Sequence, residues 1–428
     1  MHRICGLICV NPSMSAELFK ARINFMLELA KHLHTSGTSV NRLEGALDRV
    51  ARKLDLEVSI WSNPTGIMIS FVDVLSGDPY TITRVLRLSP GETNLGRLAN
   101  ADAIAEQVLA GEIDIQQGLA QLKRFDANYY RGFSLSHALS YGMASAMVLS
   151  LFPRTGWADF ITAGVLGSMI GVLAEFGEKS KRFYNALEAI TAFLVTLLAS
   201  VIAVYIAPLS IQSVIVSALI ILMPGLMLTL AVNELAEQHL SSGSARFAGA
   251  LTVLMKLTFG TILASQLVGL LGWQFLTNAN APILPVWVSW AMLLPGAFAL
   301  AVLFKTGKRD IPIAMAAVLL GFGMMKLCSF VPALTSGDIP TATFISALAV
   351  TGVSNIYARV FNRPGALIRV PGIILLVPGS LGFKTMNVAF SQDLSSSLDL
   401  AFSVMAALVA LAAGILFGNL FISSRRNL

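Results

Sequence analysis

Charged side chains are scarce in this sequence, and that scarcity excludes a soluble enzyme. Lys, Arg, Asp and Glu make up 13% of 428 residues against 55% hydrophobic, and the mean hydropathy is +0.72. Over such a length only a lipid environment accommodates that balance. Cysteine is scarcer still: Cys5, Cys9 and Cys328 form neither a ligand spacing nor an obvious pair, and Cys5 and Cys9 read as small apolar residues rather than a redox or metal site. The histidines, His2, His32, His34, His137 and His239, do not cluster at ligand spacing either, so no metal is expected. There is no Walker-type phosphate loop and no Gly-x-Ser-x-Gly elbow, and Gly37 and Gly45 follow no strand and make no dinucleotide fingerprint. ATP-driven transport by this chain alone therefore has no foothold, and no cofactor is called for. The opening MHRICGLICV has about seven apolar residues before Asn11-Pro12, short for a cleavable leader, which keeps the N-terminal region in the cytoplasm.

What charge there is falls unevenly. Residues 1–130 carry 13 basic and 14 acidic side chains, a soluble balance, and the rest of the chain carries 17 and 10. The net excess of +6 thus belongs to membrane loops, which argues against nucleic acid as a partner. Within 1–130, helical spacing covers 14–34 and 40–54, with Ser36-Gly37-Thr38-Ser39 as turn and N-cap between them. The period then changes: Glu57–Ser62, Gly66–Asp73 and Tyr80–Leu88 read as strands, split by Asn63-Pro64 and Gly77-Asp78-Pro79. Helices over 94–110 and 113–125 close an α+β domain.

From Phe133 onward the apolar segments reach membrane length. Spans are expected near 133–152, 157–175, 188–207, 210–230 and 247–271, then 286–305, 311–330, 342–361, 366–386 and 398–422. A shift of 154 positions carries Pro224-Gly225 onto Pro378-Gly379, Asn233 onto Asn387, Gly260 onto Gly414, Gly142 onto Gly296 and Gly167 onto Gly321. The expected fold is therefore an α-helical polytopic membrane protein of ten transmembrane helices: a cytoplasmic domain (1–130) and two five-helix repeats (131–275 and 285–428). An odd number of spans per copy inverts the second relative to the first. With the N-terminus inside, about fourteen basic residues fall on the inner side against Arg154 and Lys384 outside, the bias of the positive-inside rule. Both termini are thus expected in the cytoplasm.

Proline removes a helical hydrogen bond and glycine lowers the cost of a break. Pro224-Gly225 and Pro378-Gly379, followed by Ser380, are therefore expected to start half-helices within the membrane, whose free N–H groups and positive ends suit a substrate carboxylate. The competing reading is an ordinary kink. Asn233 and Asn387 serve either as amide contacts to substrate or as glue between helices. Ionisable groups in or near spans make up the candidates for coupling or gating: Glu175, Glu234, Glu237, Arg246, Lys256 and Lys326. Lys326 has the alternative of snorkelling outward, and Glu234 and Glu237 that of being solvated charges.

Three stretches resemble the threonine/serine exporter family: SGTSVNRLEGALDRVARKLDL (36–56), PGLMLTLAVNELAEQHLSSGSARFAGAL (224–251) and RPGALIRVPGIILLVPGSLGFKTM (363–386). The resemblance implies a multi-pass exporter of threonine and serine, driven by the proton motive force, in a bacterial inner membrane. Its partners would be the small-molecule substrate, the proton and the lipid bilayer, and a homo-oligomer is compatible with it. Relatives made as two separate chains are associated with dicarboxylate export, the alternative substrate. A membrane-embedded hydrolase built on Glu234, Glu237 and Arg246 is a further alternative, disfavoured because no nucleophile–base pair is evident.

Overall fold

The computed structural model describes residues 12–73, 81–128, 134–177, 180–276, 283–331, 340–390 and 394–423. The chain divides into two compact units, one up to residue 130 and one spanning 131–425.

The first unit opens with α1 (Pro12–Thr35) and α2 (Val40–Lys53). Gly37 turns the chain between them at φ +75, a left-handed value that a side chain disfavours. Ser39 occupies the N-cap of α2 but makes no side-chain cap hydrogen bond. Leu43, Ala46, Leu47 and Val50 line the buried face of α2, as helical spacing requires. The expected change of period then yields β1 (Leu56–Asn63), β2 (Gly66–Asp73) and β3 (Thr81–Arg87), an antiparallel sheet in the order β1-β2-β3. Phe71 opposes Val58 on one side and Ile82 on the other, so alternation puts these residues on the face where Ile67, Ile69 and Phe71 are buried. α3 (Leu95–Leu109) is capped by Asn94, whose Oδ1 accepts from Arg97 N at 2.9 Å, and α4 (Ile115–Asn128) ends the unit. Cys5, Cys9 and Gly77-Asp78-Pro79 lie outside the described residues.

The second unit runs through α5 (Leu135–Ser150), α6 (Trp157–Gly177), α7 (Lys181–Tyr205), α8 (Ile211–Leu219), α9 (Gly225–Ala236), α10 (Leu240–Leu270), α11 (Val286–Leu303), α12 (Ile311–Ser329), α13 (Thr341–Phe361), α14 (Ala366–Ile373), α15 (Gly379–Phe390) and α16 (Leu394–Phe421). Among the described residues, seven helices are long and apolar enough to cross a membrane. These are α6, α7, α10, α11, α12, α13 and α16. Ile211–Leu222 and Gly225–Ala236 together make an eighth candidate, bent by 57°.

Two of the ten expected spans fall short of that test. α5 has 16 residues, about 24 Å of helix against a hydrocarbon core of about 30 Å. The segment expected over 366–386 is the pair α14 and α15, of 8 and 12 residues. α7 and α10 start at Lys181 and Leu240 rather than 188 and 247. In α10 the reason is chemical: its first turns carry Ser242, Gly243 and Arg246, polar or small residues that hydropathy discounts but that are buried against α9.

One core cluster joins Leu149, Leu166, Val195, Leu219, Leu254 and Leu257 to Phe383 and Leu408, so the two halves share an interior. α5 meets α11 through Ala144 and Met147 against Ala297 and Leu300. α9 lies against α16, while α15 lies against α10. Gly260 and Gly414 perform the same task one period apart. A Cβ on Gly260 would fall 2.2 Å from the Ala189 carbonyl of α7, and one on Gly414 would fall 2.5 Å from the Phe344 carbonyl of α13. The period does not extend to every glycine: Gly142 faces Ser168 of α6 while Gly296 faces Met147 of α5, and Gly167 faces Ser145 while Gly321 faces the Gly372 carbonyl.

Buried Asp159 fixes the approach to the first broken helix. Its oxygens accept from Gly156 N (2.8 Å), at the head of α6, and from Ser210 N (2.6 Å), at the head of α8. Asp159→Ala strands both donors and is expected to cost about 1–3 kcal/mol, read as a lower unfolding temperature of the solubilised protein. An unchanged temperature would show that the carboxylate is dispensable.

Candidate functional site

Proline and glycine break two helices in the same way. Met223 leaves the helical path at φ −69, ψ 130 and Pro224 follows at φ −81, ψ 40, close to an inverse γ-turn. Gly225 N donates to the Met223 carbonyl at 2.8 Å, and α9 begins with Leu228 N donating to the Pro224 carbonyl at 2.9 Å. One period later Gly379 N donates to the Val377 carbonyl at 2.9 Å, and α15 begins with Gly382 N donating to the Pro378 carbonyl at 3.0 Å.

The two breaks also touch. A Cβ on Gly225 would lie 3.1 Å from Gly379 Cα and 2.4 Å from Val377 Cγ1, and a Cβ on Gly379 would lie 3.2 Å from Gly225 Cα. Pro224, Gly225, Pro378 and Gly379 are buried and Ser380 is half-buried. Two helix N-termini therefore converge in the interior, each equivalent to roughly half a positive charge. Beyond the bonded glycines, the N–H groups of Leu226, Met227, Ser380 and Leu381 have no acceptor within their own helices.

The predicted asparagines are not equivalent to each other. Asn233 is buried; its Nδ2 donates to Glu237 Oε1 at 3.0 Å, while its Oδ1 finds no donor among the described residues. Asn387 is half-buried and its Nδ2 turns back to the Phe383 carbonyl of its own helix at 3.2 Å. Each of these bonds stays within its own helix and cap, so neither amide is joined to another helix by a described bond.

Glu234 is fully buried and is not a solvated charge. Arg246 Nε lies 3.0 Å from both of its oxygens, and Ser242 Oγ donates to Oε2 at 2.7 Å. α9 and α10 can approach closely enough for this because residue 243 is glycine: a Cβ there would lie 2.7 Å from Leu235 Cγ and 2.9 Å from the Ala231 carbonyl. Ser242, Gly243 and Arg246 thus share one helical face. The half-period partners of Glu234 and Arg246 are Val388 and Leu400, so this ion pair has no counterpart in the second half.

The remaining candidates have local partners. Glu175 Oε2 accepts from Ser134 N at 2.7 Å, and its Oε1 lies 3.4 Å from His137 Nδ1, joining the end of α6 to the start of α5. Lys256 donates to the Asn185 carbonyl at 2.9 Å and pairs with Glu188 Oε2 at 3.5 Å on α7. Lys326 is exposed, its Nζ 5.8 Å from the Phe322 ring centroid, and it borders a cavity of about 150 Å³ with Ser150, Ser289 and Trp290. None of these three charges is placed at the helix breaks by a described contact.

Sequence reading missed Glu188, which could have been found only by asking what faces Lys256. It also missed Asp310, whose carboxylate takes both Nη atoms of Arg363 between the head of α12 and the α13–α14 loop. Burial opposes the Arg363 charge, but hydrogen bonding and proximity to Asp310 outweigh it and hold the pKa above its ordinary value.

Comparison with known proteins decides the family. A threonine/serine exporter family model matches residues 24–268, across the first unit and the first half of the second. A further one, described as "Threonine/Serine exporter, ThrE", matches residues 290–421. The chain belongs to the threonine/serine exporter family. An uncharacterised protein of Schizosaccharomyces pombe is 24% identical to this chain over 90% of the chain and 50% of its own length. Pheromone-regulated membrane protein 10 of Saccharomyces cerevisiae is 22% identical over 94% of the chain and 54% of its own length. Its namesake in Eremothecium gossypii is 22% identical over 87% and 50%. The chain thus spans about half the length of these curated relatives. No solved structure matches the chain.

Proposed function

We propose that this protein is an exporter that moves threonine or serine outward by alternating access, coupled to the proton motive force. In this reading ten membrane-spanning segments form two inverted five-helix repeats, 131–275 and 285–428, with the domain 1–130 and both termini on the inner side of a cell membrane. The broken pairs α8–α9 and α14–α15 each count as one span, and α5 completes the ten. The observation that carries the reading is the reciprocal contact of Gly225 with Gly379, made by two turns of the same geometry. In it each glycine meets the other's Cα, the relation a two-fold imposes on a contact. The exchange of partners between α9–α16 and α15–α10 supports the same relation.

Two helix N-termini facing one interior point favour an anion there, and an amino acid presents its carboxylate. The Ser380 hydroxyl and the free N–H groups of α9 and α15 would hold it; Asn233, eight residues along α9 and about 12 Å from Gly225, would meet the substrate at a later point of its path, with Oδ1 as an acceptor for a protonated amine or hydroxyl. A contact centred on glycine backbone, with Val377 beside it, gives a pivot on which either pair tilts with little side-chain repacking. The buried Glu234, held by Ser242 and Arg246, ties α9 to α10 and is the carboxylate in this arrangement on which coupling would rest.

Labelled-solute flux in proteoliposomes under an imposed pH gradient tests this, with threonine, serine and succinate side by side. Threonine and serine are expected to move, and to stop when the gradient is dissipated. Succinate movement alone would transfer the substrate to the dicarboxylates. Flux of equal rate with and without the gradient would remove the proton from the mechanism.

A further inference from the structure

α14 carries a cation that nothing described neutralises. Arg369 is 7% exposed and lies in the middle of an eight-residue helix packed between α12 and α13. Its Nη2 reaches Ser354 Oγ at 3.3 Å, but that hydroxyl gives its only proton to the Gly365 carbonyl at 2.8 Å. Ser354 therefore offers Arg369 a neutral lone pair at long range and no charge. The buried Nε finds no acceptor among the described residues. Asp310, the carboxylate at the head of α12, is already held by Arg363 of the α13–α14 loop through both of its oxygens.

A guanidinium presents five donors in a fixed fork that matches a carboxylate, and a buried one is costly without an anion. Burial is enforced by the backbone. A Cβ on Gly321 would fall 1.8 Å from the Gly372 carbonyl, so α14 is pressed against α12 one turn beyond Arg369 and the side chain cannot be freed by a small shift of the helix.

We propose that Arg369 is a carboxylate-binding residue, the anchor that receives the substrate anion before it reaches the Pro224 and Pro378 breaks. The identity of the anion rests on the exporter reading; the buried charge and its lack of an anionic partner among the described residues do not. On the topology proposed above, the α13–α14 loop faces the inner side, from which an exporter loads. A small carboxylate docks there on Nε and one Nη in bidentate fashion and supplies the missing charge.

The test uses the full chain in lipid nanodiscs, as wild type, Arg369→Met and Arg369→Lys, with threonine, serine, succinate and threonine methyl ester as probes. Without any probe, Arg369→Met is expected to unfold at a higher temperature than wild type, because an apolar side chain removes an unneutralised charge. Carboxylate affinity should fall at least about tenfold in Arg369→Met and less in Arg369→Lys, the loss of one charge-assisted contact. The ester, lacking the carboxylate, should bind both proteins alike. An Arg369→Met protein that unfolds below wild type would show a satisfied structural arginine and overturn the proposal. Equal carboxylate affinity in wild type and Arg369→Met, or none in wild type, would overturn it too. A wild type that binds carboxylates through Arg369 yet moves none of them in proteoliposomes retires the exporter reading and leaves this site standing.

Discussion

Gly225→Leu abolishes substrate flux while Gly323→Leu leaves it intact: this is the expected result of placing one leucine at the crossing of the broken helices and one elsewhere in the same bundle. At Gly225 even the first carbon of a side chain would lie 2.4 Å from Val377 Cγ1 and 3.1 Å from the Gly379 backbone. Val377 can turn away; the Gly379 Cα cannot. Overpacking of this kind costs about 1–3 kcal/mol where neighbours can yield, and more where the obstacle is backbone. At Gly323 nothing lies within 4 Å of the added carbon, so the same residue is accommodated. Gly225→Ala should fall between them, slowing flux without stopping it, because only Val377 must repack fully. The measurement is flux per reconstituted protein, with yield and monodispersity recorded for each variant. Wild-type flux from Gly225→Leu would mean that the contact is packing alone and not the pivot.

The breaks were legible in the sequence because their cause is covalent. Proline lacks the N–H and glycine lacks Cβ, so a Pro-Gly pair repeated at a fixed period announces the same backbone event twice. The strands were legible for a similar reason, since the alternation of Ile67, Ile69 and Phe71 is imposed by the pleat. What the sequence could not convey is which residue a charge meets. Lys256 read as a candidate for coupling because its partner Glu188 lies on α7, brought alongside by packing that includes the close approach of Gly260 to that helix. Asn387 read as the twin of Asn233, yet a spacing cannot reveal that one amide is buried and the other bonds back to its own helix. Arg369 lies in the 363–386 stretch with nothing in the sequence to mark it, because a buried charge without an anion beside it is a property of the surroundings and not of the residue. The start of α10 was missed through a related error: the Ser242–Arg246 stretch is polar, but its polarity is consumed by Glu234.

That ion pair supplies the second large effect. Glu234→Leu leaves the Arg246 guanidinium, 8% exposed, without its carboxylate, and removing one member of a buried pair costs about 3–5 kcal/mol. Arg246→Met is expected to be similarly damaging, since it strands Glu234 at full burial. The double variant should recover much of the loss, because two apolar side chains of comparable volume fill the place of the pair without any charge to desolvate. Thermal unfolding of the four proteins in one detergent closes the cycle, and strictly additive losses would show that the two side chains do not act on each other. Glu234→Gln separates stability from coupling. It keeps an acceptor for Ser242 and Arg246 but cannot lose or gain a proton, so it mimics the neutral state permanently. If the α9–α10 hairpin opens when Glu234 is neutralised, Glu234→Gln should transport with a rate that no longer follows the imposed pH gradient. Gradient-driven flux at the wild-type level in Glu234→Gln would assign the proton to another group. The restriction of this pair to the first half is what makes the outcome informative. With Val388 and Leu400 at the corresponding positions, the second half carries no carboxylate–guanidinium pair one period later, so an effect of Glu234→Gln would be an effect on the first half alone.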